Sequence, residues 1–530
     1  MAQPQIPAPL NVDPGKVDVD FRFLLDAFRE VLDELGAGDL AAALPWTDDD
    51  EVQAGDVDPR GLTQALSIAF RLATLAEENA SAQHRRRLHE ERGLDAVSGL
   101  WGRVLTGLAD AGHTASDIAQ DLAGITVEPV LTAHPTEAKR ATVLEQHRAL
   151  YLLLVARENQ MWTPGEQQGI RDDLMAGLAR LWRTGDIFLE RPGVEDELRN
   201  IVHYLVKVFP NVMPRLDDRL RSAWEYVGFD QALLTDDVIP QISFGTWVGG
   251  DRDGHPLVTA EVTRDTLAHL RGQAVSLIDG LLVELAIGLS LSDRLVDVPA
   301  GLSEWVRETA AATGGPGQRA VDRNPEESFR QCVNLIRARL VDPDVPNPYR
   351  RGADLLGDLV RLRDWLVETG ARRLADHDLG PVIRIVRTFG LHLAVLDVRQ
   401  NSHFHDLAIG QLLTAAGVED GDSFASWDEA ARLELLQREL SSARPLALPD
   451  AVLGDEAEAV LDCYRVLRAH IDEWGTDGLG SLIVSMTRSV SDLLSVYLLA
   501  KEAGLAVVEE EGLRCLLPVV PLLETIDDLA

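Results

Sequence analysis

The sequence predicts a mainly α-helical protein with a parallel β core, an α/β barrel elaborated by many helices and incomplete in this chain. Three observations carry that prediction. Five short apolar runs read as strands, beginning near Val127, Gln241, Leu391, Leu482 and Cys515. Four of them are followed by a helical pattern. All five end in polar side chains: His134, Asp251 with Arg252, Arg399, Ser485 to Thr487, and Glu524. Parallel strands joined by helices carry their chemistry at the strand C-termini. The helices between the runs are too numerous for a minimal barrel.

Taken in order, residues 1–20 read as a flexible arm and 21–125 as an N-terminal helical region, with Leu24, Leu25, Phe28 and Leu32 at helical spacing. Residues 126–530 form the helix-rich partial barrel. Its first strand, Val127 to Thr132, runs into His134-Pro135, and proline biases the residue before it away from the α region. The second, from Gln241, ends in the turn Gly249 to Pro256. A Gly/Pro-rich, charged stretch from Thr313 to Glu327 reads as a mobile surface loop. The third strand spans Leu391 to Val398 and ends in Arg399. Residues 441–455 read as a linker. The fourth strand, Leu482 to Val484, precedes a helix from about Ser491, and the fifth, Cys515 to Leu523, ends in Glu524.

Composition narrows the function. The chain has 530 residues, 46% of them hydrophobic, and a formal net charge of −36. An acidic surface repels nucleic acid and anionic membranes, so neither is an expected partner. An anionic substrate would have to be held by local Arg and Lys. Cys332, Cys463 and Cys515 are far apart and show no metal-ligand spacing, which fits reduced thiols. No secretory signal and no apolar run of ~18 residues is present, so a cytoplasmic protein is expected.

The strand-end residues have competing readings. His134 is either a hydrogen-bonded structural residue or a base working near neutral pH. In Gly-Gly-Asp-Arg-Asp-Gly, Asp251 and Asp253 can buttress neighbouring strand ends. Arg252 can bind an anion or be spent on those carboxylates. Lys139 and Arg140 can hold an anion or be solvated. Arg399 suits planar recognition of phosphate or carboxylate, with Asp397 as the competing partner. His403 and His405 read as surface residues and not as a zinc site. Glu524 can serve as a Mg2+ ligand, since Mg2+ takes one or two carboxylates plus substrate oxygens and water. Asp527 and Asp528 read as the first turn of a helix.

Together the stretches V-L-T-A-H-P-T-E (130–137), F-G-T-W-V-G-G-D-R-D-G-H-P (244–256), F-G-L-H-L-A-V-L-D-V-R-Q (389–400), S-M-T-R-S-V-S-D-L-L (485–494) and P-L-L-E-T-I-D-D-L (521–529) resemble the phosphoenolpyruvate carboxylases, in the family's order. His255 departs from the family's usual Asn. The resemblance implies a TIM-like barrel and the conversion of phosphoenolpyruvate and bicarbonate to oxaloacetate and phosphate, through carboxyphosphate and the enolate of pyruvate. It implies that His134 promotes carboxyphosphate breakdown and that Arg399 binds substrate phosphate. It implies that Glu524 is one of two carboxylates holding Mg2+ or Mn2+, and that the complete protein is a homo-oligomer, typically a tetramer. The family's second metal carboxylate and its glycine- and arginine-rich catalytic loop do not occur in these 530 residues. The expectation is a partial record of an active carboxylase, inactive alone. The alternative is a self-standing inactive chain, acting as a subunit of a split enzyme or as a binding module.

Overall fold

A computed structural model describes residues 13–46, 57–132, 141–184, 193–448, 451–510 and 512–526. Contacts divide the chain into two compact units. The first is drawn from Met1–Leu122, His134–Gly193 and Asp217–Val238, the second from Ala123–Ala133, Val194–Leu216 and Ile239–Ala530. None of the described helices is long and apolar enough to cross a membrane.

The first unit is helical. Its core joins Leu24, Phe28 and Leu32 to Leu72, Leu150 and Leu178, all buried. The helix Pro14–Glu34 begins inside the stretch expected as an arm. Asp13 caps it, its side chain accepting from the amides of Gly15 and Lys16. Asp20 is fully buried on that helix and pairs with Lys16 at 2.7 Å, so residues 14–20 are anchored.

The second unit contains the parallel core. Its strands are β1 (Thr126–Val127), β2 (Val130–Leu131), β3 (Gln241–Ile242), β4 (Gly245–Thr246), β5 (Val395–Asn401), β6 (Leu479–Ser485), β7 (Ala506–Glu509), β8 (Gly512–Cys515) and β9 (Val519–Pro521). The main sheet has five strands in the order β2-β4-β5-β6-β9, every pair parallel. Each expected run contributes one strand, and sheet order follows chain order. The observed architecture is α/β, with a parallel core inside a mostly helical chain.

Details differ from the sequence reading for identifiable reasons. The first run is broken at Pro129, which has no N–H to donate. β1 pairs with β3 and β2 with β4, while the carbonyls of Val127, Pro129 and Leu131 accept from the amides of Ser243, Gly245 and Trp247. The third strand starts late, at Val395, after a turn in which Leu393 takes φ 65°. It continues past Val398, so Arg399 lies inside β5 and does not terminate it. The fifth run divides: Cys515 ends an antiparallel hairpin of β7 and β8, and only Val519–Pro521 joins the parallel sheet. The expected surface loop at 313–327 contains the helix Gly315–Asp322, with Pro316 in its first turn.

Connecting helices cover the core. Ser402–Ala415, Asp455–Trp474 and Val490–Glu502 pack Leu412, Leu467 and Leu499 against Leu396, Val398 and Val484 of the strands. Phe244 stacks between Phe209 and Phe389, with centroids 4.4 and 5.4 Å away. Asn401 is the last residue of β5 and the N-cap of the next helix, its side chain accepting from the His403 amide at 2.9 Å. The chain therefore turns from strand to helix directly beyond Arg399.

Candidate active site

Arg399 is the centre of a charge cluster on the second unit. Its Nη1 lies 3.2 Å from Asp251 Oδ2, and its Nη2 lies 3.0 Å from Asp253 Oδ2 and 2.9 Å from Glu524 Oε1. The turn after β4 is tied to β5 through the main chain, which accounts for this convergence. Arg399 N–H donates to Gly250 O at 3.0 Å, and Arg252 N–H donates to Arg399 O at 2.9 Å. Asp251 is thereby held opposite Arg399 as a parallel bridge. Only glycine fits at 250, where a Cβ would lie 2.0 Å from Asp397 O.

Three carboxylates around one guanidinium leave the cluster net negative. Burial pushes the Asp251 carboxyl above its ordinary pKa, and the charge of Asp253 adds to that, against the pull of Arg399. Ser485, fully buried at the end of β6, donates to Asp253 Oδ2 at 2.8 Å. The Trp247 ring lies beside the guanidinium, with Arg399 Cζ 5.4 Å from the ring centroid.

Several sequence expectations change. Asp397 is not the partner of Arg399. Its Oδ1 accepts from Ser481 N–H at 2.7 Å and its Oδ2 from Trp247 Nε1–H at 3.1 Å, and these two donors hold it. Among the described residues, Arg252 pairs with main-chain carbonyls and not with its neighbouring aspartates. Its Nε donates to Val258 O at 3.2 Å and its Nη1 to Ala459 O at 2.9 Å, which anchors the turn to the helix Asp455–Trp474. His403 is exposed as expected, but His405 is buried, and among the described residues neither of its ring nitrogens has a hydrogen-bond partner. About half a turn of the helix Ser402–Ala415 separates surface from core, and spacing alone does not say which face points inward. Among the described residues the buried Nδ1 of His255 has no hydrogen-bond partner. His134, Lys139, Arg140, Asp527 and Asp528 lie outside the described residues.

The stretch after β6 forms a second ionic network. Arg432 pairs with Asp406 and, at 3.2 Å, with Asp492. Arg488 pairs with Asp406 at 2.7 Å and Asp492 at 2.8 Å. Both aspartates are fully buried, yet their pKa values move apart. Burial raises Asp406 above the ordinary value despite its arginines. Burial acts on Asp492 in the same sense, but the Arg488 side chain and amide overcome it, and its carboxyl lies below the ordinary value. The motif after β6 is thus largely an anchor for the turn that presents Ser485.

The implied divalent cation can be tested against this donor set. Among the described residues, no group of three His, Cys, Asp or Glu side chains is arranged to hold a metal. Glu524 is one carboxylate of the cluster, its Oε1 lying 2.9 Å from Arg399 Nη2.

Comparison with known proteins agrees with the strand-end motifs. The model of the phosphoenolpyruvate carboxylase family matches residues 56–530. The phosphoenolpyruvate carboxylase of Nocardia farcinica is 33% identical over 542 residues, covering 97% of this chain and 55% of that protein. Those of Aromatoleum aromaticum and Rhodothermus marinus are each 35% identical, covering 88% and 80% of this chain and 51% and 46% of the relatives. The chain spans about half the length of the curated relatives it matches. With all of its described parallel core inside the matched region, this chain belongs to the phosphoenolpyruvate carboxylase family.

Proposed function

We propose that this chain carries the phosphate-binding and proton-handling half of a phosphoenolpyruvate carboxylase site. The observation that carries the reading is Arg399, a partly buried guanidinium on a central strand of a parallel sheet, oriented by carboxylates from two other segments. A planar fork of N–H donors in a half-dry setting is suited to a phosphate dianion. The surplus of carboxylates supports a cation in the same place. Without one, the acidic cluster would repel a substrate that carries both phosphate and carboxylate.

In this reading Arg399 binds the phosphate of phosphoenolpyruvate as bicarbonate attacks it. Asp251 and Asp253 fix the guanidinium plane. His134 takes the proton whose removal breaks carboxyphosphate into CO2 and phosphate, and the enolate of pyruvate captures the CO2. Glu524 would hold Mg2+ or Mn2+, which when bound stabilises negative charge developing on the enolate oxygen. The complete protein is read as a cytoplasmic homo-oligomer that replenishes oxaloacetate.

The test is oxaloacetate formation from phosphoenolpyruvate and bicarbonate. We expect none from the 530-residue chain alone and turnover when the missing half of a relative is supplied. In that complemented enzyme, His134→Ala should abolish oxaloacetate formation. Full carboxylation by the variant would remove His134 from its role, and turnover by the chain alone would remove the need for a second half.

A further inference from the structure

We infer that Asp397 is a positioning residue for the phosphate site, acting on Arg399 through the indole of Trp247; this rests on the reading of Arg399 given above. The geometry is a relay across three adjacent strands. Asp397 lies on β5, two residues before Arg399 and on the same side of the strand. Its Oδ1 takes the Ser481 amide of β6 at 2.7 Å. Its Oδ2 takes the indole N–H of Trp247, just after β4, at 3.1 Å. The far side of that relay is the indole face beside the Arg399 guanidinium, 5.4 Å from ring centroid to Cζ.

The surroundings are built for this carboxylate. Gly480 leaves room for it, since a Cβ there would lie 2.2 Å from Asp397 Oδ1. Gly250 lets the turn bearing Asp251 and Asp253 close on the Asp397 carbonyl. Among the described residues no Lys or Arg pairs with Asp397, and burial raises its carboxyl above the ordinary pKa. A half-buried carboxylate held only by two N–H donors is costly. A carboxylate is nevertheless the side chain of this size that accepts at both ends. Asparagine offers one acceptor and would turn its NH2 toward either the amide or the indole, donor against donor. The expected response to Asp397→Asn is that the stiff main-chain bond to Ser481 is kept and the indole swings. Arg399 then loses its platform and rests on its carboxylates alone.

The experiment is calorimetric titration of inorganic phosphate and of phosphoenolpyruvate, each with Mg2+, into the 530-residue chain. The proteins compared are wild type, Asp397→Asn, Trp247→Phe, the double variant and Arg399→Gln. We expect Asp397→Asn and Trp247→Phe each to weaken binding about tenfold, and the double variant to bind no more weakly than Trp247→Phe alone. The Trp247 indole N–H resonance, assigned by its loss in Trp247→Phe, should shift in Asp397→Asn. If Asp397→Asn does not fold, Trp247→Phe must still show the loss, because it removes the same hydrogen bond from the other side. Unchanged affinity in Asp397→Asn or in Trp247→Phe, or full additivity of the two, would overturn the relay while a loss in Arg399→Gln left the phosphate site standing. Negligible binding by wild type and Arg399→Gln alike would instead overturn the phosphate-site reading, and the relay with it.

Discussion

His405 shows how much a single buried side chain can govern. It is enclosed on the helix Ser402–Ala415, and burial together with the nearby Arg252 charge lowers its pKa from 6.5 to about 3. A base whose folded pKa is depressed contributes stability that is fully present above its unfolded value and is lost as pH falls toward its folded value. The protein should therefore lose stability between pH 6.5 and 3 partly through this one imidazole. His405→Leu should flatten thermal stability across that window, as followed by unfolding at a series of pH values. An unchanged profile would show that the imidazole is not buried. Asp492 works at lower pH. Its depressed carboxyl stabilises the fold above pH 3.8 and ceases to do so as pH falls through its folded value. Asp492→Asn leaves Arg432, nearly fully buried, and Arg488 to share the single carboxylate of Asp406. A cost of about 3–5 kcal/mol at neutral pH is expected from denaturant titration.

At the scale of elements, the decisive piece is the Gly-Gly-Asp-Arg-Asp-Gly turn clamped to β5. Gly250→Ala would drive a methyl into the Asp397 carbonyl, a contact that no rotamer relieves. It should cost about 1–3 kcal/mol, as for an overpacked core, and should weaken phosphate binding because Asp251 and Asp253 move with the turn. A stable variant with wild-type affinity would uncouple the turn from Arg399. Five strand positions and their parallel direction are legible in apolar runs followed by helical periodicity; of the expected polar ends, Arg399 lies inside β5 and His134 outside the described residues. The strand breaks were less legible. Pro129 interrupts an otherwise continuous apolar run, and the β7–β8 hairpin hides its first strand in the unremarkable Ala506 to Glu509. The carboxylate partners of Arg399 are hard to read for a related reason: sequence proximity offers Asp397 as the competing partner, whereas the turn after β4, tied to β5, brings Asp251 and Asp253 across. Trp247 and Ser485 lie within the stretches 244–256 and 485–494, yet their contacts depend on register, which spacing does not reveal.

Across the whole molecule, a net charge of −36 sets the task that the site must perform. Under the proposed function, a substrate carrying both phosphate and carboxylate approaches against the global field, and Arg399 with a divalent ion would supply the local attraction. Salt should therefore affect this site unusually: moderate ionic strength screens the repulsive surface more than the half-buried Arg399. Under the proposed function, that arginine binds substrate phosphate. The most direct measurement is titration of phosphoenolpyruvate with Mg2+ into wild type and Arg399→Gln, with thermal unfolding as a check on folding. We predict a loss of at least about tenfold in affinity for a folded variant, roughly 1.4 kcal/mol. Equal affinity in the two proteins would contradict the account.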